Sequence, residues 1–306
     1  MSADHNLKAQ HKPLAAFALM GGAILCFCLV DANAKWMTVG YDAWQIVLVS
    51  RLVPMLLALF LAYRATGNPF HFYTKFPKEQ AVRVALSVPM IWCFFVGLKT
   101  MALAEAITIA FVAPLFIIML SRPLLGEKIG PRRWTAVGVG FAGVLVALQP
   151  SFGGSMTGPI LVLISAFSYA LSMIMIRRFS GRESNHNIYF YGAIGSFLVG
   201  GFNSVPAWVE PDAIDWGLLL LVGVWGTIGA YAVIHAYRRG EASMLAPIEY
   251  TALIWSIVFD LILFQLTPVP AVLIGAAIII AANIYVAHRE HQLGKAPPPA
   301  LPPEPH

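Results

Sequence analysis

Charge is scarce in this chain. Only 11% of its 306 residues are Asp, Glu, Lys or Arg, less than half the roughly 25% usual for soluble domains. Cysteine is thinner still, with Cys26, Cys28 and Cys93 all inside apolar segments. The first two are two residues apart, so a helix points them to different faces. No C-x-x-C or Cys/His spacing offers a metal or redox pair, so the cysteines read as small core residues and neither metal nor cofactor is expected. No H-E-x-x-H, G-x-S-x-G or paired-carboxylate spacing is present. That leaves the rival class, an intramembrane enzyme such as a lipid head-group transferase, without catalytic candidates. Gly138, Gly140 and Gly143 match G-x-G-x-x-G by letter, but no strand precedes them and no ribose-binding acid follows at the right distance. Gly126-Glu127-Lys128 lacks the Walker spacing. No ring-forming filter suggests a channel.

Apolar residues are abundant. They make up 58% of the chain, and mean hydropathy is +0.73. Ten runs are long enough to cross a hydrocarbon core of roughly 30 Å: Pro13–Val30, Trp44–Tyr63, Ala81–Leu98, Met101–Leu124, Arg133–Gln149, Thr157–Ile176, Asn187–Val205, Ala213–His235, Ala242–Gln265 and Val269–Ala287. The first run, with a basic start and Ala32-Asn33-Ala34 behind it, mimics a secretory signal. It exceeds the usual signal core of about 7–15 residues, and is read as a retained span. The tail from Lys295 is proline-rich and favours extended conformations.

The formal charge of +5 raises the question of nucleic acid, but the basic residues form no patch with interleaved aromatics. They alternate by loop instead. With the N-terminus in the cytoplasm, seventeen of the twenty lysines and arginines fall in cytoplasmic segments, while the loop Glu210–Asp215 is acidic. By the positive-inside rule both ends are cytoplasmic, and the expected location is the inner membrane.

The stretch Lys99 to Trp134 organises the rest. It carries Glu105 near its start and Pro114 near its middle, and it closes on Arg122, Lys128, Arg132 and Arg133. A looser copy returns about 138 residues later, over Tyr237 to Val272. Five spans per copy is odd, so the second copy must be inverted. The expected architecture is all-α and integral to the membrane, with ten transmembrane helices as two inverted five-helix repeats. The divisions are a cytoplasmic tail (1–12), a first repeat (13–150), a second repeat (151–290) and a proline-rich cytoplasmic tail (291–306). Inverted repeats are a recurrent plan of secondary transporters, with the solute at the midplane between them.

Pro114-Leu115-Phe116, Leu125-Gly126-Glu127, Gly130-Pro131-Arg132-Arg133-Trp134 and Gly140-Phe141-Ala142-Gly143-Val144 resemble the drug/metabolite transporter superfamily, in its ten-span EamA-type branch. Arg51 matches a commonly basic position in the second span. The pattern is similar to a group that includes riboflavin importers, S-adenosylmethionine carriers and exporters of opine-type metallophores. The resemblance implies transport of a small organic metabolite, with a riboflavin-like compound the best specific guess. Export of an amino-acid-derived metabolite and carriage of S-adenosylmethionine remain as alternatives. The second copy departs from the pattern, with Phe264-Gln265 where the first has Gly126-Glu127.

Ionisable groups in hydrocarbon cost about 2.5–3.5 kcal/mol or more each, and usually face a cavity or a partner. Asp31 and Lys35, four apart with the acid first, form either a self-satisfying ion pair or a gate. Arg51 snorkels, pairs with Asp31 or binds an anionic solute. Glu105, with Thr108 one turn on, either complements a helix dipole or touches solute. Glu249 lies beside Pro247, where a kink is expected, with Tyr250 and Thr251 adding hydroxyls; this reads as a solute or proton site. Asp260 has no partner visible in the sequence, and His235 reads as interfacial. Trp92, Tyr231, Tyr250 and Trp255 fall inside spans, and either stack on a planar solute or pack. The glycines at 138, 140 and 143 read as a close-packing scaffold against the tenth span. Glu127, among basic neighbours, is expected to tie its loop. The expected partners are the bilayer and a small-molecule substrate, and a homodimer is left open.

Overall fold

The computed structural model describes residues 13–68, 74, 76–126, 130–148, 156–179, 185–237, 239 and 242–294. Among them are twelve α-helices, one short 3-10 turn and no strand. The helices are α1 (Pro13–Met37), α2 (Ala43–Thr66), α3 (Pro77–Leu98), α4 (Leu103–Ala110), α5 (Ala113–Leu125), α6 (Pro131–Leu148), α7 (Thr157–Phe179), α8 (Asn185–Ser204), α9 (Ala213–Tyr237), α10 (Ala242–Glu249), α11 (Thr251–Leu263) and α12 (Pro270–Gly294). Glu127 lies outside the described residues.

Local chemistry sets the boundaries. Asp42 caps α2 by accepting from the Trp44 amide, and Gly67 closes that helix at φ 72°, a left-handed conformation that glycine adopts without a Cβ penalty. Gly126 ends α5 in the same way, at φ 70°. Pro77, Pro131 and Pro270 each open a helix, where the missing N–H costs nothing.

Six segments are long and apolar enough to cross a membrane: 14–37, 43–64, 77–98, 103–125, 157–176 and 213–237. The chain is therefore a multi-pass membrane protein. Two expected single spans are each broken in two. Pro114 cannot donate to Ala110, and the chain leaves helical register at Phe111 and Val112, between α4 and α5. The second break falls at Tyr250, three residues beyond Pro247.

The helix order recurs along the chain. Shifting the residues of α3, α4, α5 and α6 by 138 gives 215–236, 241–248, 251–263 and 269–286, within two residues of the starts of α9, α10, α11 and α12. Packing recurs under the same exchange. Helix α1 packs on α9, α10 and α11, and α7 packs on α3, α4 and α5. Helix α2 meets α9 as α8 meets α3, while the pairs α2–α8 and α6–α12 map onto themselves.

Large apolar side chains such as Leu56, Phe60, Leu145, Phe202, Ile228 and Ile262 are exposed on the outside, as lipid allows. Small and polar residues lie inside. Thr108, Ser168 and Ser196 each donate to a carbonyl four residues back in their own helix, which satisfies the hydroxyl without a partner helix. Between helices, Ser87 meets Ser196 at 2.9 Å and Ser165 donates to the Met90 carbonyl.

The α6–α12 contact is the closest approach. A Cβ on Gly275 would stand 2.6 Å from the Gly143 carbonyl oxygen and 2.7 Å from the Ala147 amide, and one on Gly143 would stand 2.9 Å from Ile278 and Ile279. The expected scaffold role against the tenth span holds for Gly143 alone; Gly140 packs on Leu115 of α5 instead. Gly138 has open space beside it. Gly275→Ala is thus expected to destabilise by about 1–3 kcal/mol, since backbone cannot step aside, whereas Gly138→Ala should be neutral or stabilising. Thermal unfolding of the purified variants in detergent checks the contrast.

Candidate functional site

The two broken helices meet at their breaks. Phe111 at the first and Tyr250 at the second stand edge to face, with ring centroids 5.4 Å apart. The Leu115 amide bonds Val112 instead of Phe111, and the freed Phe111 carbonyl accepts from the Asn283 amide of α12 at 3.0 Å. Around this centre the apolar lining comes from α3, α4 and α11: Trp92, Phe94, Ala110, Phe111, Ala252 and Phe259 pack against one buried cluster. Broken helices at mid-membrane are a recurring way to build a solute site.

Two charged groups within the bundle have no partner among the described residues. Arg51 lies two turns after Trp44 on α2, and its Nε is buried with no acceptor. Trp44 stacks on Trp92 of α3, with centroids 5.2 Å apart and planes inclined 21°. The indole Nε1 of Trp92 is likewise buried and unsatisfied. Asp31 on α1 neighbours Cys28, whose thiol donates to the Ala252 carbonyl just past the second break, at 3.7 Å. Unpaired donors and an unpaired acid in apolar surroundings are costly unless something else completes them.

Lys35 does not pair with Asp31. Its Nζ reaches the Asp260 carboxylate at 3.5 Å and donates to the Met101 carbonyl at 2.6 Å, above the Phe264 ring. The four-residue spacing permits the Asp31 pair, but Asp260 lies where a third contact, to helix α4, can be made as well. Glu105 sits in the first turn of α4, with its carboxylate toward the Ala102 amide. This is the dipole-complementing arrangement, at one end of the molecule and not at its centre.

Two candidates leave the site altogether. Thr108 is fully buried and spends its hydroxyl on Ala104 of its own helix, at 2.7 Å. Tyr231 is 60% exposed, with its ring against His235, so it faces the surroundings of the bundle. Periodicity alone could not say which face of α9 is inward. Trp255 lines a cavity of about 470 Å³ between α1 and the α10–α11 pair, with Gly21, Gly22 and Thr251. Glu249 is exposed on α10 and accepts from the Tyr237 hydroxyl at 3.0 Å. Tyr169 of α7 lies within its field.

The molecule has an acidic end and a basic end. At the acidic end Gln45 both donates to the Val209 carbonyl and accepts from its amide, at 2.6 and 3.1 Å. Asn33 donates to the Leu218 carbonyl there, and Tyr41 donates to Asp215. That last bond is the main reason the loop tyrosine's pKa is pushed up to about 12. Sequence reasoning missed Trp44, Gln45 and Asn283; only the polarity of Gln45 and Asn283 inside apolar runs could have flagged them.

Comparison with known proteins places this geometry. Residues 156–287 match the EamA-like transporter family. The second half of the chain is thus an EamA-like domain. A riboflavin transporter of Rhizobium johnstonii is 26% identical over 89% of this chain and 91% of its own length. A riboflavin transporter of Vibrio cholerae is 25% identical over 93% and 96%. An S-adenosylmethionine uptake transporter of Rickettsia bellii is 29% identical over 63% of this chain and 67% of its own. One solved crystal structure of a protein superposes with a TM-score of 0.62 at 20% identity, over 90% of this chain and 99% of that one, so the fold is shared. The domain and these relatives are transporters, not enzymes.

A half-buried arginine whose Nε has no acceptor burdens the fold. Arg51→Met is therefore expected to raise the unfolding midpoint by several degrees, about 1–2 kcal/mol, while transport is lost. A lowered midpoint would make Arg51 structural.

Proposed function

We propose that this EamA domain protein is an inner-membrane secondary transporter moving a small organic metabolite by alternating access. Its two five-span halves, residues 13–150 and 151–290, are inverted with respect to each other. The exchange of packing partners between α1–α6 and α7–α12 supports this, as does an EamA match on the second half alongside EamA-like motifs in the first. The basic end, with Arg122, Arg132, Arg133 and Arg239, is cytoplasmic, together with both chain termini.

The observation that carries the transport role is the pair of helix breaks meeting at Phe111 and Tyr250, in a bundle that also buries Arg51 Nε and the Trp92 indole N–H without a partner. A solute in that space supplies what these groups lack. Trp92, stacked on Trp44, and Tyr250 offer aromatic faces, and Trp255 and Thr251 line the adjoining cavity. Glu249, tied to Tyr237 toward the cytoplasmic end, carries a proton or contacts the solute on its way through.

A riboflavin-like ring compound, taken up, is the first substrate to test, because the aromatic lining and two of the relatives agree on it. The two unpaired charges favour a second reading, a zwitterion such as S-adenosylmethionine. Arg51 would take its carboxylate and Asp31 its cationic group, at less cost than leaving both bare. Uptake of labelled riboflavin into a host unable to make it, against labelled S-adenosylmethionine into vesicles, separates the two. Growth rescue supports the flavin, and vesicle accumulation lost in Arg51→Met supports the zwitterion. Uptake of neither, with an amino-acid-derived compound missing from the culture medium when the gene is deleted, points to export.

Glu249→Gln should abolish or uncouple transport, about 100-fold or more if the carboxyl is the proton carrier, with expression unchanged. Wild-type uptake in that variant would return Glu249 to a structural role.

A further inference from the structure

Among the described acids, Asp260 stands out in having both carboxylate oxygens held by backbone of another helix. Its Oδ1 accepts from the Leu103 amide at 2.9 Å and its Oδ2 from the Ala104 amide at 2.8 Å. These are free donors of the first turn of α4. Lys35 of α1 stands 3.5 Å from Oδ1, and Phe264 and Trp36 lie over the cluster. Asp260 is 1% exposed. Every one of these bonds joins α11, in the second half of the chain, to the first half.

The exchange of halves makes this joint informative. Helix α4 packs on α11, yet among the described residues the related pair, α10 and α5, does not pack in the same way. The position related to Asp260 by the 138-residue shift is Arg122, which is exposed. A cation there is repelled by a helix N-terminus, where a carboxylate is drawn. Among the described residues the joint is therefore made at the acidic end, where it ties the two halves together.

Resting on the transport reading, we infer that Asp260 is a positioning residue that gates the acidic end. Its bonds to the α4 N-terminus and to Lys35 are made when that end is closed, and they break when α11 swings from α4 to admit or release solute there. Once the end opens, water takes over the carboxylate, the ammonium and the two amides, so the charges are never left bare in either state. The same lysine has a second acid within its field, Glu105, on the helix whose N-terminus is released.

Labelling reads the gate without a substrate, so it stands apart from any failed uptake assay. In the full-length chain with Cys26, Cys28 and Cys93 replaced by alanine, one reporter is Ile107→Cys, buried behind the joint. The other is Tyr169→Cys, beside Glu249. Oriented membrane vesicles are treated with a membrane-impermeant maleimide from each side. Asp260→Asn removes the charge-assisted bonds, so labelling of the Ile107→Cys reporter from the acidic end should rise about tenfold or more. Labelling of the Tyr169→Cys reporter should not rise. Lys35→Met leaves both amide bonds, and should act in the same direction but less. Unchanged labelling of the Ile107→Cys reporter in both variants, or a rise at both reporters, which signals a loosened fold, overturns the inference. If Asp260→Asn does not accumulate as folded protein, the Lys35→Met result decides.

Discussion

Hydrocarbon solvates no polar group, and this one constraint shapes the whole chain. Every backbone N–H and C=O at membrane depth has to be bonded from within the protein. Helices do this for themselves, so the fold is helical throughout its described length. A helix can stop mid-membrane only where a neighbour supplies the missing bond. Asn283 does so for the Phe111 carbonyl, and at the acidic end Asp260 caps the first amides of α4. Both side chains come from the opposite half of the chain, so the broken elements are completed only when the halves are together.

The same constraint governs how the helices meet. Lipid tails are as apolar as leucine, so apolar burial alone does not drive helix association. Contact comes from close approach and from a few hydrogen bonds. Gly143 and Gly275 let α6 and α12 touch backbone to backbone, a serine pair ties α3 to α8, and Ser165 of α7 donates to the Met90 carbonyl of α3. These pairs are dense and small. Around the α4–α5 and α10–α11 breaks the packing is instead aromatic and partly open, which is where a moving element has room.

Charge placement then separates scaffold from function. Lys35 and Asp260 satisfy each other at the acidic end, whereas Arg51 Nε and the Trp92 indole N–H are buried with capacity to spare. The fold by itself gains nothing from such groups. The bonds at the acidic end are numerous, and each is individually replaceable by water. Two conformations can thus lie within a few kcal/mol of each other, as a carrier requires.

Composition alone determined that the chain lives in lipid, because a mean hydropathy this high excludes a soluble core. Basic residues alternating by loop implied the threading, and Pro247 marked where a helix would kink, since a missing N–H is visible in the letters, whereas the stretch broken before Pro114 reads in sequence as one continuous span. Gly143 was legible as scaffold because small residues at helical spacing carry that meaning wherever they pack. The partners of the charges were not legible. Lys35 has an acid four residues away and ignores it for one 225 positions on. Thr108 and Tyr231 share the chemistry of a site but not its location. Spacing along one helix fixes which side chains share a face, but which face turns inward, and what meets it there, is decided only when distant helices pack.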